Sequence, residues 1–349
     1  KLITIFRVVF ISLAWVLITH TLTLSLGQGL RAVAIPLNEI VYSQYQFKEL
    51  IQICNMVGAV GLEVIIVAVN VLIVDFIEVP RNFQFLNYKE LKINQKQFYK
   101  NTAIVALVFV SLFAYGKYTI QANKDYRMAN KEKWKSFAIV QANYPVASNK
   151  IQSVKPMELA RLQEQLSEKI KGRRNLLLWS EGSVPELSKV QLQNTTFRKL
   201  SAKADVFVYG TWHPVVDEVY NSIEFIEYRY KGNQSVGFNL KRYFKNRLMP
   251  YGEYTPFYKF LPKSFKELSD KTIGQNFIAA KFPKPVKIGN LSIAASLCSE
   301  LLFPELFKEQ VQAGANILVN LNNLSWFRSP LNLFTEKCEG AKDQPAEDW

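Results

Sequence analysis

Three residues that could form an acyl-transfer site lie in or beside apolar segments typical of strands. Glu181 follows the segment LLLW, Lys245 lies in KRYFKNRLMPYGEYTPF, and Cys298 lies in SLCSELLFPELF. A carboxylate can take the proton of a cysteine nucleophile, and a lysine cation with a backbone N–H group can stabilise the oxyanion formed on a carbonyl. These residue types therefore suffice for acyl transfer without a histidine. Each also has an ordinary structural interpretation, since a single Glu, Lys or Cys is more often solvated or simply buried.

The segments around these residues predict strands that alternate with helices. In one predicted helix, apolar residues recur at three- and four-residue spacing. We predict strands over 136–145, 175–182, 204–212, 219–230 and 315–323, a hairpin over 286–300 whose second strand ends at Cys298, helices over 156–172 and 304–314, and a long loop over about 239–285. This alternation is typical of a layered α/β domain. Such sheets place reactive residues at the carboxyl ends of their strands.

The first 120 residues contain three apolar segments that we predict to span a membrane. They are Phe6–Leu26, Ile53–Ile77 and Thr102–Tyr118. A helix needs about 20 apolar residues to cross the hydrocarbon core, so the first two are long enough and the third is marginal. A signal peptide is an alternative for the first segment, because Lys1 and Arg7 precede its apolar run.

The charges between the second and third segments predict an orientation. Residues 78–101 carry more lysine and arginine than glutamate, which favours the cytoplasmic side for this loop. Residues 136–330 would then lie on the outer side. Glu63 lies among apolar residues of the second segment, and an intramembrane carboxylate usually faces a bundle interior or a water-filled cavity.

The composition excludes several classes of protein. With 49% apolar and 21% charged residues, the chain is not of the disordered class. Only two His and three Cys are present, which argues against a His-rich metal site, a Ser–His–Asp triad and a disulfide scaffold. We expect no metal and no cofactor. The net charge of +14 suits a membrane surface or a nucleic acid, but no nucleic-acid-binding motif is present, so we expect no nucleic acid partner.

Taken together, the motifs resemble those of a known family. The order Glu–Lys–Cys resembles the triad of the nitrilase superfamily, and with the preceding membrane helices the chain is similar to the family of apolipoprotein N-acyltransferases. The likeness is carried by LLLWSEGSVPE, VYNS, FKNRLMPYGEYTPF, CSELLFPELF, NILVNLNNLSWF and IVQANYP, and it is weaker in the membrane part. It implies a nitrilase-like αββα sandwich preceded by an α-helical transmembrane bundle. Ser180 and Ser299 stand where the family usually has Pro and Tyr.

The resemblance implies a role for each matching residue. Glu181 would be the general base, Cys298 the nucleophile and Lys245 the stabiliser of the oxyanion, with the N–H group of Ser299 as a further donor. Supporting roles fall to Glu253, Glu300, Ser299 and Asn221. The site would have to favour the thiolate, since a free cysteine has a pKa of about 8.5.

The implied reaction uses two lipid-linked substrates. A phospholipid would give its acyl chain to the cysteine, and the thioester would pass it to the N-terminal amine of a diacylglyceryl-cysteine apolipoprotein. The implied location is the bacterial inner membrane, with the catalytic domain on the extracytoplasmic side. We divide the chain into a transmembrane region (1–120), a basic linker (121–135), a catalytic domain (136–331) and a tail (332–349).

Two alternatives stay open. The same triad would serve a carbon–nitrogen hydrolase that acts on a small amide or nitrile. A truncated, inactive member of the family is the other alternative, because the tail 332–349 matches nothing in the family and fewer N-terminal helices are predicted than the family usually has.

Overall fold

The computed structural model describes residues 2–24, 40–74, 77–78, 92–93, 95–142, 156–184, 196–215, 218–231, 234–273 and 277–323. The chain divides into two compact units, residues 1–134 and residues 135–349. The tail predicted at 332–349 lies outside the described residues.

The first unit is helical. Its helices are α1 (Leu2–Leu24), α2 (Lys48–Ile51), α3 (Cys54–Val74) and α4 (Gln95–Ala129). The two-residue strands β1 (Ile77–Glu78) and β2 (Lys92–Ile93) pair antiparallel between α3 and α4. By length and composition, α3 and α4 could each cross a membrane, whereas the described apolar part of α1 is shorter.

The helices differ in length from the predicted membrane segments. The third segment was predicted to be marginal, but it lies inside the 35 residues of α4. Helix α4 also takes in the end of the predicted loop 78–101 and the start of the predicted linker 121–135. The reason is that polar residues continue the helix at both ends of the apolar run, where apolar periodicity gives no signal.

Polar residues inside the first unit have specific surroundings. Glu63 is buried within α3, as its apolar neighbours indicate. Asn101 of α4 is also buried, and its Nδ2 donates to the carbonyl of Leu72, 2.7 Å away near the end of α3. This bond satisfies one of the carbonyls that a helix end leaves without an intrahelical partner. At Gly58 the backbone leaves helical geometry, with φ of 69°, so α3 is kinked there.

The second unit contains two sheets. The larger sheet has the order β3 (Phe137–Val140), β4 (Arg174–Trp179), β5 (Ala204–Val215), β6 (Glu218–Lys231) and β7 (Gln234–Phe244). Its first three strands are parallel, and its last three are antiparallel. The smaller sheet has the order β10 (Ile317–Leu321), β9 (Leu291–Leu297) and β8 (Val286–Ile288), with β9 and β10 parallel.

Two apolar cores show how the layers stack. In β4, Leu176 and Leu178 belong to a core shared with the side chains of β8, β9 and β10, so this core lies between the sheets. Leu177 and Trp179 point to the other face, where they meet residues of α5 (Pro156–Glu168) and α6 (Thr196–Leu200). A strand buried on both faces reads as a continuous apolar run, as NLLLW does.

The smaller sheet has its own helix. Helix α8 (Pro304–Gln312) packs against β9, and its Gln310 hydrogen-bonds both the N–H and the carbonyl of Ala295. The layers are therefore helix, sheet, sheet and helix. This arrangement confirms the predicted αββα class.

The prediction of a long loop over 239–285 is wrong at two places. Residues up to Phe244 belong to β7, and Lys263–Ile273 form helix α7. Strand β7 was missed because its sequence mixes aromatic and basic residues without clear alternation, and its partner β6 stabilises it by pairing along its whole length. The second strand of the hairpin ends at Leu297, and Cys298 begins a 3₁₀ turn that runs to Leu302.

Candidate active site

Glu181, Lys245 and Cys298 each lie directly beyond a strand of the second unit. Glu181 follows β4 after one residue, Lys245 follows β7, and Cys298 follows β9. The structure brings the three residues together, since the charge of each affects the ionisation of the others. The edge formed by these strand ends is the position expected for a site in a layered α/β domain.

Lys245 and Glu253 form a buried ion pair. The Nζ atom of Lys245 lies 2.9 Å from Oε1 and 2.8 Å from Oε2 of Glu253, and the lysine side chain is 1% exposed. Burial opposes the charged form of the lysine, but the carboxylates of Glu253 and Glu181 outweigh it and raise the pKa of Lys245. The N–H group of Met249 also donates to Glu253, over 2.7 Å. Lys245 is therefore a permanent cation at this site.

Asn221 joins the two carboxylates. Its Nδ2 donates to Oε1 of Glu181 over 2.9 Å and to Oε1 of Glu253 over 2.7 Å. The charge of Glu253 raises the pKa of Glu181, and the hydrogen bond from Asn221 acts in the opposite direction. The backbone of Asn221 takes part as well, because its carbonyl accepts from the N–H of Lys245. Asn221 thus fixes the base and the cation relative to each other.

Glu181 is placed to accept a proton from Cys298. Cys298 and Glu181 lie close enough to affect each other, because the thiol lowers the pKa of the carboxyl and the carboxylate raises the pKa of the thiol. The N–H group of Asn323, beyond the end of β10, donates to Oε2 of Glu181 over 3.2 Å. Burial raises the pKa of Glu181, although the charge of Lys245 acts in the opposite direction. A carboxylate with a raised pKa is a stronger base, as general base catalysis requires.

Cys298 has an unusual backbone and a protonated thiol. Its φ of 48° lies in the left-handed region, which few residues other than glycine adopt. Burial and the charge of Glu181 raise the pKa of the thiol to about 12, while Lys245 and the backbone N–H of Ser299 lower it. The expectation that the site favours the thiolate is therefore wrong for the site without substrate. The thiol must lose its proton to a base during the reaction.

Glu300 connects the turn that begins at Cys298 with the residues that follow Lys245. Its Oε2 accepts from the N–H of Leu297 over 2.8 Å and from the hydroxyl of Tyr243 over 2.9 Å. Its Oε1 accepts from the N–H groups of Asn246 and Arg247, over 2.6 and 2.9 Å. Glu300 is fully buried, and burial raises its pKa against the effect of these donors. One carboxylate therefore connects the residues beside Cys298 with those beside Lys245.

Ser299 contributes its backbone rather than its hydroxyl. Its N–H group points to the sulfur of Cys298. Its Oγ is buried and has no hydrogen-bond partner among the described residues. The N–H group is therefore the donor that could hold an oxyanion at this position.

Several residues of the site were not predicted from the sequence. Asn320 donates to Oγ of Ser296 over 2.7 Å and lies 3.4 Å from the carbonyl of Cys298, and Asn323 reaches Glu181. The run NLNN at the end of β10 was a usable signal for Asn320, because a side-chain amide at a strand end is well placed to bond neighbouring turns. Across the described ranges, no group of three or more His, Cys, Asp or Glu could hold a metal ion.

Comparisons with known proteins identify similar chains. No family model matches the sequence. The chain is 26% identical over 243 residues to the apolipoprotein N-acyltransferase of Wigglesworthia glossinidia brevipalpis, covering 66% of this chain and 45% of that protein. It is 24% identical over 317 residues to the apolipoprotein N-acyltransferase of Geobacter metallireducens, covering 87% and 55%. The chain thus spans about half the length of the curated relatives it matches.

Solved structures give a weaker likeness. A carbon–nitrogen hydrolase from Helicobacter pylori matches with a TM-score of 0.35 at 14% identity, over 54% of this chain and 60% of that one. A carbon–nitrogen hydrolase superfamily protein from Xanthomonas campestris matches with a TM-score of 0.36 at 13% identity, over 58% and 69%. Both TM-scores are below 0.5, so the four-layer arrangement rests on the chain's own sheets and cores. By sequence, the chain is similar to apolipoprotein N-acyltransferases, as its motifs predict.

Proposed function

We propose that this chain is a membrane N-acyltransferase that moves a fatty acyl chain from phospholipid, through a thioester on Cys298, to the N-terminal amine of diacylglyceryl-cysteine apolipoproteins. The observation that carries the proposal is that Cys298, Glu181 and Lys245 lie close enough to shift one another's pKa, with Glu181 linked through Asn221 to Glu253 and so to Lys245. This arrangement provides a nucleophile, a base and a buried cation at one place.

The first half-reaction transfers the acyl chain to the enzyme. Glu181 takes the thiol proton as the sulfur of Cys298 attacks the ester carbonyl, and a C–S bond forms. The positive charge of Lys245 and the N–H group of Ser299 stabilise the negative oxygen. The C–O bond of the ester then breaks, and the proton on Glu181 passes to the oxygen of the leaving lysophospholipid.

The second half-reaction uses the same groups in reverse. The amine of the acceptor attacks the thioester carbonyl, and Glu181 takes a proton from the nitrogen. When the C–S bond breaks, that proton returns to the sulfur. The result is an amide on the acceptor and a free thiol on Cys298, so the site is ready for another cycle.

Two features support a lipid as the acyl donor. Helices α3 and α4 could each cross a membrane, which would hold the chain at a source of phospholipid. Around α7, large apolar side chains are exposed at Phe260, Phe265 and Leu268, among the cations of Lys259 and Lys266. An exposed apolar surface with nearby cations suits contact with an anionic lipid surface.

We extend the proposal to location and domain roles. Residues 1–120 would anchor the chain in the bacterial inner membrane, and residues 136–331 would form the catalytic domain on the extracytoplasmic side. The basic residues of the loop 78–101 support a cytoplasmic position for that loop, which favours this orientation.

The direct test is the mass of the intact protein after incubation with phospholipid in detergent micelles. The wild-type chain should gain the mass of one long-chain acyl group. Cys298→Ser should gain none, because a serine hydroxyl is far harder to deprotonate than a thiol. Cys54→Ser is the matched control and should behave as wild type. Addition of a diacylglyceryl-cysteine peptide should remove the adduct from the enzyme and acylate the peptide.

Other results would contradict the proposal. An adduct that persists in Cys298→Ser and disappears in Cys54→Ser would show that the nucleophile is wrong. An adduct that is lost to water equally fast with or without the peptide would favour a hydrolase. The absence of an adduct on the wild-type chain would favour an inactive protein.

A further inference from the structure

The turn that carries Glu181 is a bulge laid over a single residue of the neighbouring strand. The N–H group of Gly210, in β5, donates to the carbonyl of Ser180 over 3.3 Å, and its carbonyl accepts from the N–H of Val184 over 3.2 Å. The N–H and the carbonyl of Gly210 are thus bonded to Ser180 and Val184, the two ends of one turn. Residues 181–183 are the extra residues between those ends, and bulges of this kind re-aim a side chain.

Gly210 has no space for a side chain. A Cβ atom there would lie 2.5 Å from Cα of Glu181, 2.8 Å from the nitrogen of Gly182 and 3.0 Å from the carbonyl oxygen of Ser180. Carbon atoms in contact are normally about 3.5–4.0 Å apart. All three obstacles are backbone atoms, so a flexible side chain cannot simply rotate away. The turn itself would have to rise from β5 by about 1 Å or more.

The direction of that displacement matters for the site. Side chains alternate along a strand, so position 210 faces the same side as Val206 and Val208, whose side chains enter the core between the sheets. A side chain at 210 would therefore push Glu181 within the space where it meets Cys298. The hydroxyl of Ser183, which donates to the carbonyl of Gly210 over 3.3 Å, would also lose its partner.

We propose that Gly210 is a positioning residue: its missing side chain lets the bulge 181–183 lie flat on β5 and so holds the Glu181 carboxylate against the thiol of Cys298. This inference rests on the proposed function for the role of Glu181 as a base. A base that is misplaced by about 1 Å can lose about 100-fold in rate. The displaced carboxylate would also act differently on the thiol, so the pH dependence of the thiol's reactivity would change together with its rate.

The test measures how fast iodoacetamide alkylates Cys298 in the full chain at pH 5 to 10, followed by mass spectrometry of the Cys298 peptide. In the wild-type chain the profile should contain the ionisation of Glu181, and Glu181→Gln should remove it, whereas the thiol ionises above this pH range. We expect the alkylation rate of Gly210→Ala at pH 7 to differ at least tenfold from that of the wild-type chain, in the same direction as Glu181→Gln and with a profile like that of Glu181→Gln. Val208→Ala is the matched control on β5. It should lower the melting temperature but keep the wild-type profile.

Three results would overturn the inference. The first is a wild-type profile in Gly210→Ala, whatever its melting temperature. The second is one shared profile for the wild-type chain and Glu181→Gln, because Glu181 would then not act on the thiol. If Gly210→Ala does not fold, Ser183→Ala decides instead. It should change the alkylation rate about twofold or more in the same direction as Glu181→Gln, and an unchanged rate is the third contrary result.

The test remains informative if the proposed function fails. Alkylation needs no phospholipid, so a wild-type chain without an acyl adduct would refute the proposed function alone. The profile of Gly210→Ala would still show whether this glycine holds Glu181 in place.

Discussion

The segment after Lys245 and the turn at Cys298 are each built around a buried glutamate, but the two glutamates are compensated differently. Glu253 lies against a cation, with both oxygens within 2.9 Å of the Nζ atom of Lys245. Glu300 accepts from uncharged donors, which are three backbone N–H groups and the hydroxyl of Tyr243. The first glutamate keeps a charge in place, and the second fixes the shape of two chain segments.

This difference predicts how much stability is lost when each glutamate's interactions are removed. Removal of either member of the Lys245–Glu253 pair would leave a buried charge without its partner, which is among the most costly changes in a protein interior. Removal of the charge at Glu300 would leave several neutral donors without an acceptor, at a lower cost for each donor. The predictions that follow test this contrast.

The largest effect is expected for Lys245→Met, which leaves the Glu253 carboxylate without its cation. The free energy of unfolding should fall by about 3–5 kcal/mol. The rate of acyl-enzyme formation should fall by a factor of about 10²–10³, as when an oxyanion donor is lost. Denaturant titration and the mass assay measure these quantities. Lys241→Met, at an exposed position of β7, is the control and should change neither. A loss of stability below about 1 kcal/mol in Lys245→Met would show that the pair is not compensated as described.

A smaller effect is expected for Glu300→Gln. The amide keeps one acceptor oxygen, but its NH₂ group would face donors, so the free energy of unfolding should fall by about 2 kcal/mol. Acyl-enzyme formation should also slow, because the turn at Cys298 loses its tie to Asn246. Glu309→Gln, at an exposed position of α8, is the control. A larger loss of stability in Glu300→Gln than in Lys245→Met would reverse the contrast between the two regions.

The smallest expected effect is a pH dependence of the free energy of unfolding that is caused by the ionisation of Glu181. Burial raises the pKa of this residue above its ordinary 4.5. The protonated form is therefore favoured in the folded chain, and the stability that it contributes is present below about pH 4.5 and is lost as the pH rises through the raised pKa. Glu181→Gln should thus flatten the fall in unfolding free energy between pH 4.5 and neutrality. Parallel curves for the two proteins would contradict this assignment.

Part of this architecture was readable in the sequence, because burial and motif spacing leave strong patterns. The apolar run NLLLW predicted a strand, and the structure places β4 there with apolar cores on both of its faces. The motifs around Lys245 and Cys298 named Glu253 and Glu300, which the structure places beside them. The long segment after β7 was harder, since α7 is short and polar and shows no run of apolar residues.

The unpredicted features depend on contacts between backbone atoms. Gly210 looks like any glycine within an apolar strand, and only the approach of the Glu181 turn shows why a side chain is excluded. The contact of Asn323 with Glu181 spans 142 residues and uses an N–H group that nearly every residue carries. A glycine in a strand does not show which neighbouring backbone excludes its side chain, and a backbone N–H can donate from nearly any residue. Residue types alone therefore do not predict either contact.

The left-handed backbone of Cys298 has a consequence for how this chain can change over generations. A residue with a Cβ atom in that conformation costs roughly 1–2 kcal/mol, whereas glycine adopts it freely and asparagine does so with little penalty. Mutation to glycine would therefore relax the backbone and lose the thiol in the same step. Selection for stability alone would therefore favour glycine at this position, whereas the proposed role of the sulfur as nucleophile would oppose that change.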